Sequence, residues 1–572
     1  MILNKKIFFI MILSLLIIPL IGVLMLIPLG SNSNTDSGSI LGSVFSSGNT
    51  ANLKAYGTSS SKASASSTKY SKVNSSPSSS AEAPSAQAPK VGGYASPSAQ
   101  GRVGVGRGDE LELMKKIALF VSLLNLLISI YMWFQFDNNS ANYQFVYEFN
   151  SLNFCHFHVG VDGISLYFVL LTTFITPICI LSNWTDITVK LKYFLISFLI
   201  LETLQIAVFV VLDLFLFYIF FESVLIPLFF IIIIWGGSNN KYRAAFLLFL
   251  YTLAGSLFML LAILYIYQNT GSTDFLLLSL TDISLNYQKI LWLAFFISFA
   301  FKTPLFPFHI WLFRAHAEAP LAGSIILAAV ILKLASYGFL RVLIPFFPDA
   351  CLFFLPLIQT IAAITVIYAS LSTLRQIDNK QLVAMSSVAH MGVVVLALFS
   401  NNIQGIEGGI LLGISHGFVS PALFICVGGI IYSRYHTRII KYFKGLVNRM
   451  PLFTTLFFVF ILFNTAIPLS LNYLGEFLSL TGVFLQSPFI SILGASGIVL
   501  SAAYSIWVYT RISYGSYNNP VYEIMGTVKD INRREYFLLL PLLIVTLVLG
   551  ILPNIILDAL HVSVSSVLYN II

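Results

Sequence analysis

The chain has 572 residues, of which 57% are hydrophobic and 9% charged, with a mean hydropathy of +0.88 and a net charge of +8. An ordinary soluble domain carries about 25% charged residues, so this composition excludes a string of soluble domains and predicts an integral membrane protein. Nine of the 31 Lys and Arg lie between Lys54 and Lys116 and most others sit in short loops, which is not the footprint of a nucleic-acid-binding surface.

Apolar runs of about 20 residues, enough to cross a bilayer, recur along the chain. They predict an all-α polytopic membrane protein with about fourteen transmembrane helices. The runs fall near 7–29, 114–134, 164–182, 193–212, 213–235, 243–267 and 289–315, and then near 322–344, 353–374, 381–400, 407–432, 452–485, 489–511 and 536–557. The chain accordingly divides into a first helix (1–29), a Ser/Ala/Gly-rich loop (30–108), helices 2 and 3 (109–190), helices 4–8 (191–345), helices 9–13 (346–512), and helix 14 with the C-terminus (513–572). Lys5 and Lys6 before an apolar run resemble a secretory signal, but the run from Ile7 to Leu29 is longer than such a core, and a retained helix is expected. The 30–108 segment has almost no aliphatic runs and is expected to be disordered. Its Gly104-Val-Gly106-Arg-Gly108 stretch follows no strand and is not read as a dinucleotide loop.

Lys and Arg mark the negatively charged side of a membrane. Outside the long first loop and its flank, sixteen of them fall in loops 3/4, 5/6, 7/8, 9/10, 11/12 and 13/14, Lys380 among them; only Lys5, Lys6, Lys289 and Arg341 fall opposite. This alternation predicts that both termini lie on the outer side. Cys155, Cys179, Cys351 and Cys426 form no CxxC pair, so neither a metal site nor a disulfide framework is expected.

Several titratable residues interrupt the apolar runs: Glu202 on helix 4, Glu222 on helix 5, Lys302 on helix 7, Lys333 on helix 8, His390 on helix 10, His416 on helix 11 and Glu476 on helix 12. A charge at mid-membrane costs at least about 2.5–3.5 kcal/mol and is a functional candidate by default. One buried ion pair would serve merely to lock two helices. A set of Lys, His and Glu instead suits proton transfer, because each changes protonation on desolvation or near neutrality, whereas Arg, absent from the set, never does. His309, and His316 with Arg314 and Glu318 at the basic end of helix 7, are secondary candidates for the path or its mouth. Glu407 is expected to be solvated and Asp213 to cap a helix.

Two of these helices are broken. Pro304 and Pro307 follow Lys302, and Pro468 precedes Glu476, flanked by Asn464 and Asn472. Proline removes a backbone donor, and a broken membrane helix survives only where protein or water satisfies the freed carbonyls. The interval from Glu222 to Lys302 is matched by that from His390 to Glu476, each ending on a broken helix two helices later. Helices 4–8 and 9–13 are therefore read as two inverted five-helix repeats, each supplying a half-channel.

The stretch Lys302 to Arg341 (KTPLFPFHIWLFRAHAEAPLAGSIILAAVILKLASYGFLR), with Phe221-Glu222-Ser223-Val224-Leu225-Ile226-Pro227 and Ser415-His416-Gly417-Phe418-Val419-Ser420-Pro421-Ala422, closely resembles the antiporter-like subunits of respiratory complex I. The likeness covers nearly everything from about residue 110 onward. It departs at Phe313, where the family often has Pro, and at the 30–108 insertion. The resemblance implies a proton-translocating membrane-arm subunit of NADH:ubiquinone oxidoreductase in the mitochondrial inner membrane. It implies Glu222 and Lys302 as a coupled pair, Lys333 as a bridge, His390 and His416 as the central axis and Glu476 as the terminal residue. Glu476 stands where the related subunits 2 and 5 carry Lys, and those two subunits are the implied neighbours, with membrane lipids around them and no nucleic acid. NAD, FMN, iron–sulfur clusters and ubiquinone would belong to the assembled complex and no cofactor to this chain. The alternative reading is a membrane subunit of a multisubunit sodium/proton antiporter, which shares the fold.

Overall fold

The computed structural model describes residues 2–29, 105–152, 155–516 and 528–569. The expected loop lies, but for its last four residues, outside the described residues. Each predicted span coincides with a helix or a broken pair of helices. We label them α1 (Ile2–Leu26), α2 (Val105–Phe134), α3 (Gly163–Ser182), α4 (Leu191–Val210), α5 (Leu214–Trp235), α6 (Lys241–Thr270), α7a (Leu285–Lys302), α7b (Ile310–Glu318), α8 (Leu321–Phe346), α9 (Pro348–Thr373), α10 (Asn379–Leu398), α11 (Ile403–Tyr435), α12a (Pro451–Asn464), α12b (Leu471–Gln486), α13 (Pro488–Ser513) and α14 (Arg533–Ile551). Among the described residues, 11 helices are long and apolar enough to span a membrane.

Large apolar side chains face outward, with Phe120, Phe134 and Leu261 each more than 60% exposed, while Lys, Glu and His are buried within. That inversion of the soluble pattern is what a lipid solvent selects. The chain is an all-α membrane protein, as its composition requires. Two features depart from the sequence reading. An antiparallel hairpin, β1 (Gln144–Leu152) and β2 (Cys155–Val161), joins α2 to α3, pairing Tyr147 with Val159 and Glu148 with His158. A further helix, α15 (Asn554–Tyr569), follows α14. Residues 554–557, expected within helix 14, belong to it.

The hairpin is tied to the bundle by backbone. Leu212 N–H donates to His158 O and Phe275 N–H to Leu212 O, while Leu214 N–H donates to Thr273 O. Asp213 is the cap it was expected to be. Its carboxylate accepts from Phe215 N–H and Leu216 N–H at the start of α5, and from Thr273 Oγ1 at 2.6 Å.

Arg341 corrects its expected place in an outer loop. It lies within α8, 7% exposed, with Nη2 2.6 Å from Asp162 Oδ2 and Nε donating to the Tyr337 hydroxyl. Lys380 is likewise not a loop residue. It sits in the first turn of α10, 2% exposed. Glu407, expected in solvent, is buried and meets His561 of α15 at 2.8 Å.

Candidate functional site: a buried row of titratable side chains

Both expected helix breaks are present. In the first, α7a ends at Lys302 and α7b resumes at Ile310, with Pro304 and Pro307 between them. The freed groups are satisfied by protein: Trp311 Nε1 donates to Phe301 O at 2.8 Å, and Phe306 N–H donates to Thr365 Oγ1 of α9 at 3.0 Å. Lys302 therefore stands at the carbonyl end of a half-helix, where the helix dipole favours a cation. In the second, Pro468 lies between α12a and α12b. Asn472 Nδ2 donates to Phe463 O at 2.9 Å, and Ser470 accepts from Tyr473 N–H as the cap of α12b. Glu476 follows in the second turn.

Lys302 and Glu222 face each other as expected, with Nζ 3.9 Å from Oε1. That separation is too long for a hydrogen bond. The ammonium instead donates to Phe221 O at 2.5 Å and lies 3.3 Å from the centre of the Phe221 ring. Glu222 Oε1 is left without a hydrogen-bond partner. The pair is thus close and loosely made.

Four other predicted residues form a continuous row across four helices. Lys333 Nζ of α8 lies 2.7 Å from His416 Nδ1 of α11. The His416 and His390 rings are 5.8 Å apart between centroids, and His390 Nδ1 of α10 lies 3.1 Å from Glu476 Oε1 of α12b. All four are at most 4% exposed. Two of their buried atoms, His390 Nε2 and Glu476 Oε2, have no hydrogen-bond partner, so the row is incompletely bonded. Buried polar atoms are nearly always satisfied, and such exceptions concentrate where groups must exchange partners.

Backbone irregularity and glycine place the row. α8 contains two π-helical turns, Leu327–Ile331 and Phe339–Leu343, and Lys333 reaches back to Ala328 O of the first at 2.6 Å. α11 and α12b approach backbone to backbone: a Cβ on Gly475 would lie 2.7 Å from Leu412 N. Close contact at small residues is how membrane helices pack without a hydrophobic drive, and here it carries Glu476 against α10 and α11.

The remaining candidates join neither group directly. Glu202 accepts from Asn125 Nδ2 of α2 at 2.7 Å, with Gln205 one turn further along and both its amide atoms unpartnered. His309, just before α7b, is packed near Phe306 and Tyr368. His316 is fully buried, stacked on Phe424 at 4.5 Å, with neither ring nitrogen bonded. Sequence reasoning missed Asn125, Gln205 and Lys380. The first two are uncharged polar groups in apolar helices. Lys380 sits in the first turn of α10, whose start was drawn two residues too late.

The combination of two broken helices, a buried Lys–Glu pair and a Lys–His–His–Glu row defines a class of ion-translocating membrane subunit. The chain matches the family model described as NADH:quinone oxidoreductase/Mrp antiporter, transmembrane, over residues 211–501, and it belongs to that family. It is similar to proteins named NADH-ubiquinone oxidoreductase chain 4. The relative from Mycosarcoma maydis is 64% identical over 457 residues, 80% of this chain and 94% of the relative. The relative from Arabidopsis thaliana is 50% identical over 458 residues, covering 80% and 92%. A chain of respiratory complex I from Thermus thermophilus superimposes with a TM-score of 0.74 at 26% identity, covering 81% of this chain and 97% of that one. A chain of the Mrp complex from Dietzia gives 0.71 at 18% identity, covering 82% and 95%, which is a likeness of fold alone.

Proposed function

We propose that this chain is a proton-translocating membrane-arm subunit of respiratory complex I, and that Glu222, Lys302, Lys333, His416, His390 and Glu476 carry the proton. The observation that carries the reading is the Lys333–His416–His390–Glu476 row, closed to solvent and built only from side chains that exchange protons.

In the N···N contact at 2.7 Å one nitrogen holds the shared proton. Either a Lys333 ammonium donates to a neutral imidazole, or an imidazole N–H donates to a neutral amine. Moving that proton leaves His416 charged and Lys333 neutral, so the next transfer is towards His390 and then to the Glu476 carboxylate. Lys302 supplies the row from the other half. Its hold on Glu222 is loose, and its alternation between Glu222 and the Lys333 side gates the transfer. The basic loops face the matrix, both termini face the intermembrane space, and the two inverted repeats each provide a half-channel. Release is outward, against about 2.3 kcal/mol per charge per 100 mV.

Redox chemistry belongs to partner subunits holding flavin, iron–sulfur clusters and ubiquinone, with NADH as the reductant. The adjacent partners are the antiporter-like subunits 2 and 5. The test is purification of the chain from its native membrane in mild detergent, followed by an absorption spectrum and an NADH:ubiquinone reductase assay. The expected result is a large assembly with flavin and iron–sulfur absorption. A small assembly free of redox centres would make the chain an antiporter component instead.

A further inference from the structure

A cleft of about 480 Å³ takes no part in the row or the pair described above. It opens at the end of the bundle where α6 finishes and α7a begins. Its polar side is formed by Asn269 near the end of α6, Asp282 in the connecting loop and Tyr287 in the first turn of α7a, with Tyr265 one turn deeper on α6. Ile266 and Leu291, each at most 5% exposed, line its apolar side. The Tyr265 and Tyr287 rings pack with centroids 5.6 Å apart, so the two helices present one aromatic wall.

This wall and the carboxylate beside it lack a cation. No Lys, Arg or His lines the cleft, and none lies within ion-pair distance of Asp282 among the described residues. Lys289, the nearest base in sequence, lies instead over the Phe353 ring of α9, 3.5 Å from its centre. Tyrosine at a membrane interface is ordinary, and so is a solvated Asp. Here the two kinds of group share one concavity with no base to compete. A carboxylate and electron-rich ring faces attract an ammonium and repel an anion.

The same cleft opens onto an apolar track. Further into the bundle, α6 exposes Leu261 and Leu264 and α7a exposes Ile290 and Leu293. A ligand that uses both parts has a positive head and long apolar chains. A soluble amine would leave the track unused, and an anionic phospholipid would set its charge against Asp282 with no ammonium to offset it.

We propose that this cleft binds the headgroup of a zwitterionic phospholipid, whose ammonium meets Asp282 and the Tyr265–Tyr287 pair and whose acyl chains run along α6 and α7a. Phosphatidylcholine and phosphatidylethanolamine share the ammonium, and phosphatidylglycerol lacks it.

The test is photo-crosslinking in membrane vesicles that carry the assembled protein, with assembly confirmed on native gels. Phosphatidylcholine, phosphatidylethanolamine and phosphatidylglycerol analogues, each with a photoreactive group at the top of one acyl chain, are added at equal amounts. Labelling of residues 265–291 is then read by mass spectrometry. The expected result is that both zwitterionic analogues label this segment more strongly than phosphatidylglycerol. Asp282→Asn and Tyr287→Ala should each lower that labelling about two- to fivefold, the effect of one exposed ion or cation–π contact. Tyr287→Phe, which keeps the ring face, should retain it. Equal labelling by the three headgroups, or undiminished labelling in both Asp282→Asn and Tyr287→Ala, overturns the proposal by making the cleft an unselective lipid contact. Absence of labelling in the unaltered protein also overturns it, because another protein then fills the cleft.

Discussion

At the scale of single residues, the account turns on which buried charges are matched. Arg341 is paired with Asp162 and hydrogen-bonded to Tyr337 and Tyr143, and it cannot release a proton, so it holds the end of α8 to the start of α3. Lys302, Lys333 and Glu476 are each bonded below their capacity. Outside the membrane spans, His158 of β2 pairs with Asp274 of the α6–α7a loop at 2.8 Å. The hydrogen bond to Asp274 holds the His158 pKa above its usual value, more than offsetting burial. Burial, the largest single influence, pushes the Asp274 carboxyl up, but the bond to His158, the His158 charge and the backbone N–H groups of Leu276 and Leu277 together outweigh it and the net shift is down. The two signs give one window. The Asp274 contribution is lost as pH falls below about 4, and the His158 contribution is complete below about 6.5 and is lost as pH rises through its raised folded value. The protection of the β1 and β2 amides against exchange, relative to the intrinsic rate at each pH, is therefore expected to be greatest in mildly acidic buffer and to fall at alkaline pH. His158→Gln should remove the alkaline change, and a flat profile in the unaltered chain would contradict the clamp.

At the scale of elements, the two broken helices place Lys302 and Glu476 within the bundle. Proline on a helix that carries a buried charge made both breaks legible in the sequence, and the structure adds how the freed carbonyls are met, by Trp311 and Asn472. The π-helical turns around Lys333 were not legible, because Leu327–Ile331 is an ordinary apolar run and its widening is imposed by packing. The hairpin was missed because short strands between membrane helices leave no hydropathy signal. Two predictions belong here. Gly475→Leu places a side chain against the backbone at Leu412, so α12b must move and Glu476 with it. Overpacking of this kind costs about 1–3 kcal/mol, and the variant should show reduced thermal stability of the assembled protein together with impaired translocation. The second concerns α14, whose first turn is held by Arg434: Nη1 and Nη2 meet the two oxygens of Glu535 at 3.0 and 2.6 Å. Glu535 also caps Asn532 N–H. Arg434→Ala strands that carboxylate, and loss of one partner from a buried pair costs about 3–5 kcal/mol. Its expected readout is a lowered melting temperature or failed assembly; unchanged stability would show the bridge to be idle.

At the scale of the whole molecule, the composition fixed the solvent and the buried charges pointed to the task. Glu222, Lys302, Lys333, His390, His416 and Glu476 lie far apart in sequence, and the bundle brings them into one pair and one row. Their grouping could be read only as far as helix order allowed. Which nitrogen faces which, and that Lys333 bonds His416 while Glu222 stays at 3.9 Å from Lys302, are products of packing. The rest of the molecule makes this arrangement tolerable: outward apolar side chains suit lipid, and α7b and α12b end the breaks before the interior is exposed.

The central claim is that this row moves protons on the energy of NADH oxidation. The most direct test is proton translocation per NADH oxidised by inner-membrane vesicles whose complex carries Lys302→Ala, with assembly confirmed. The account predicts an assembled complex that has lost proton translocation. Full translocation by that assembled variant would contradict it.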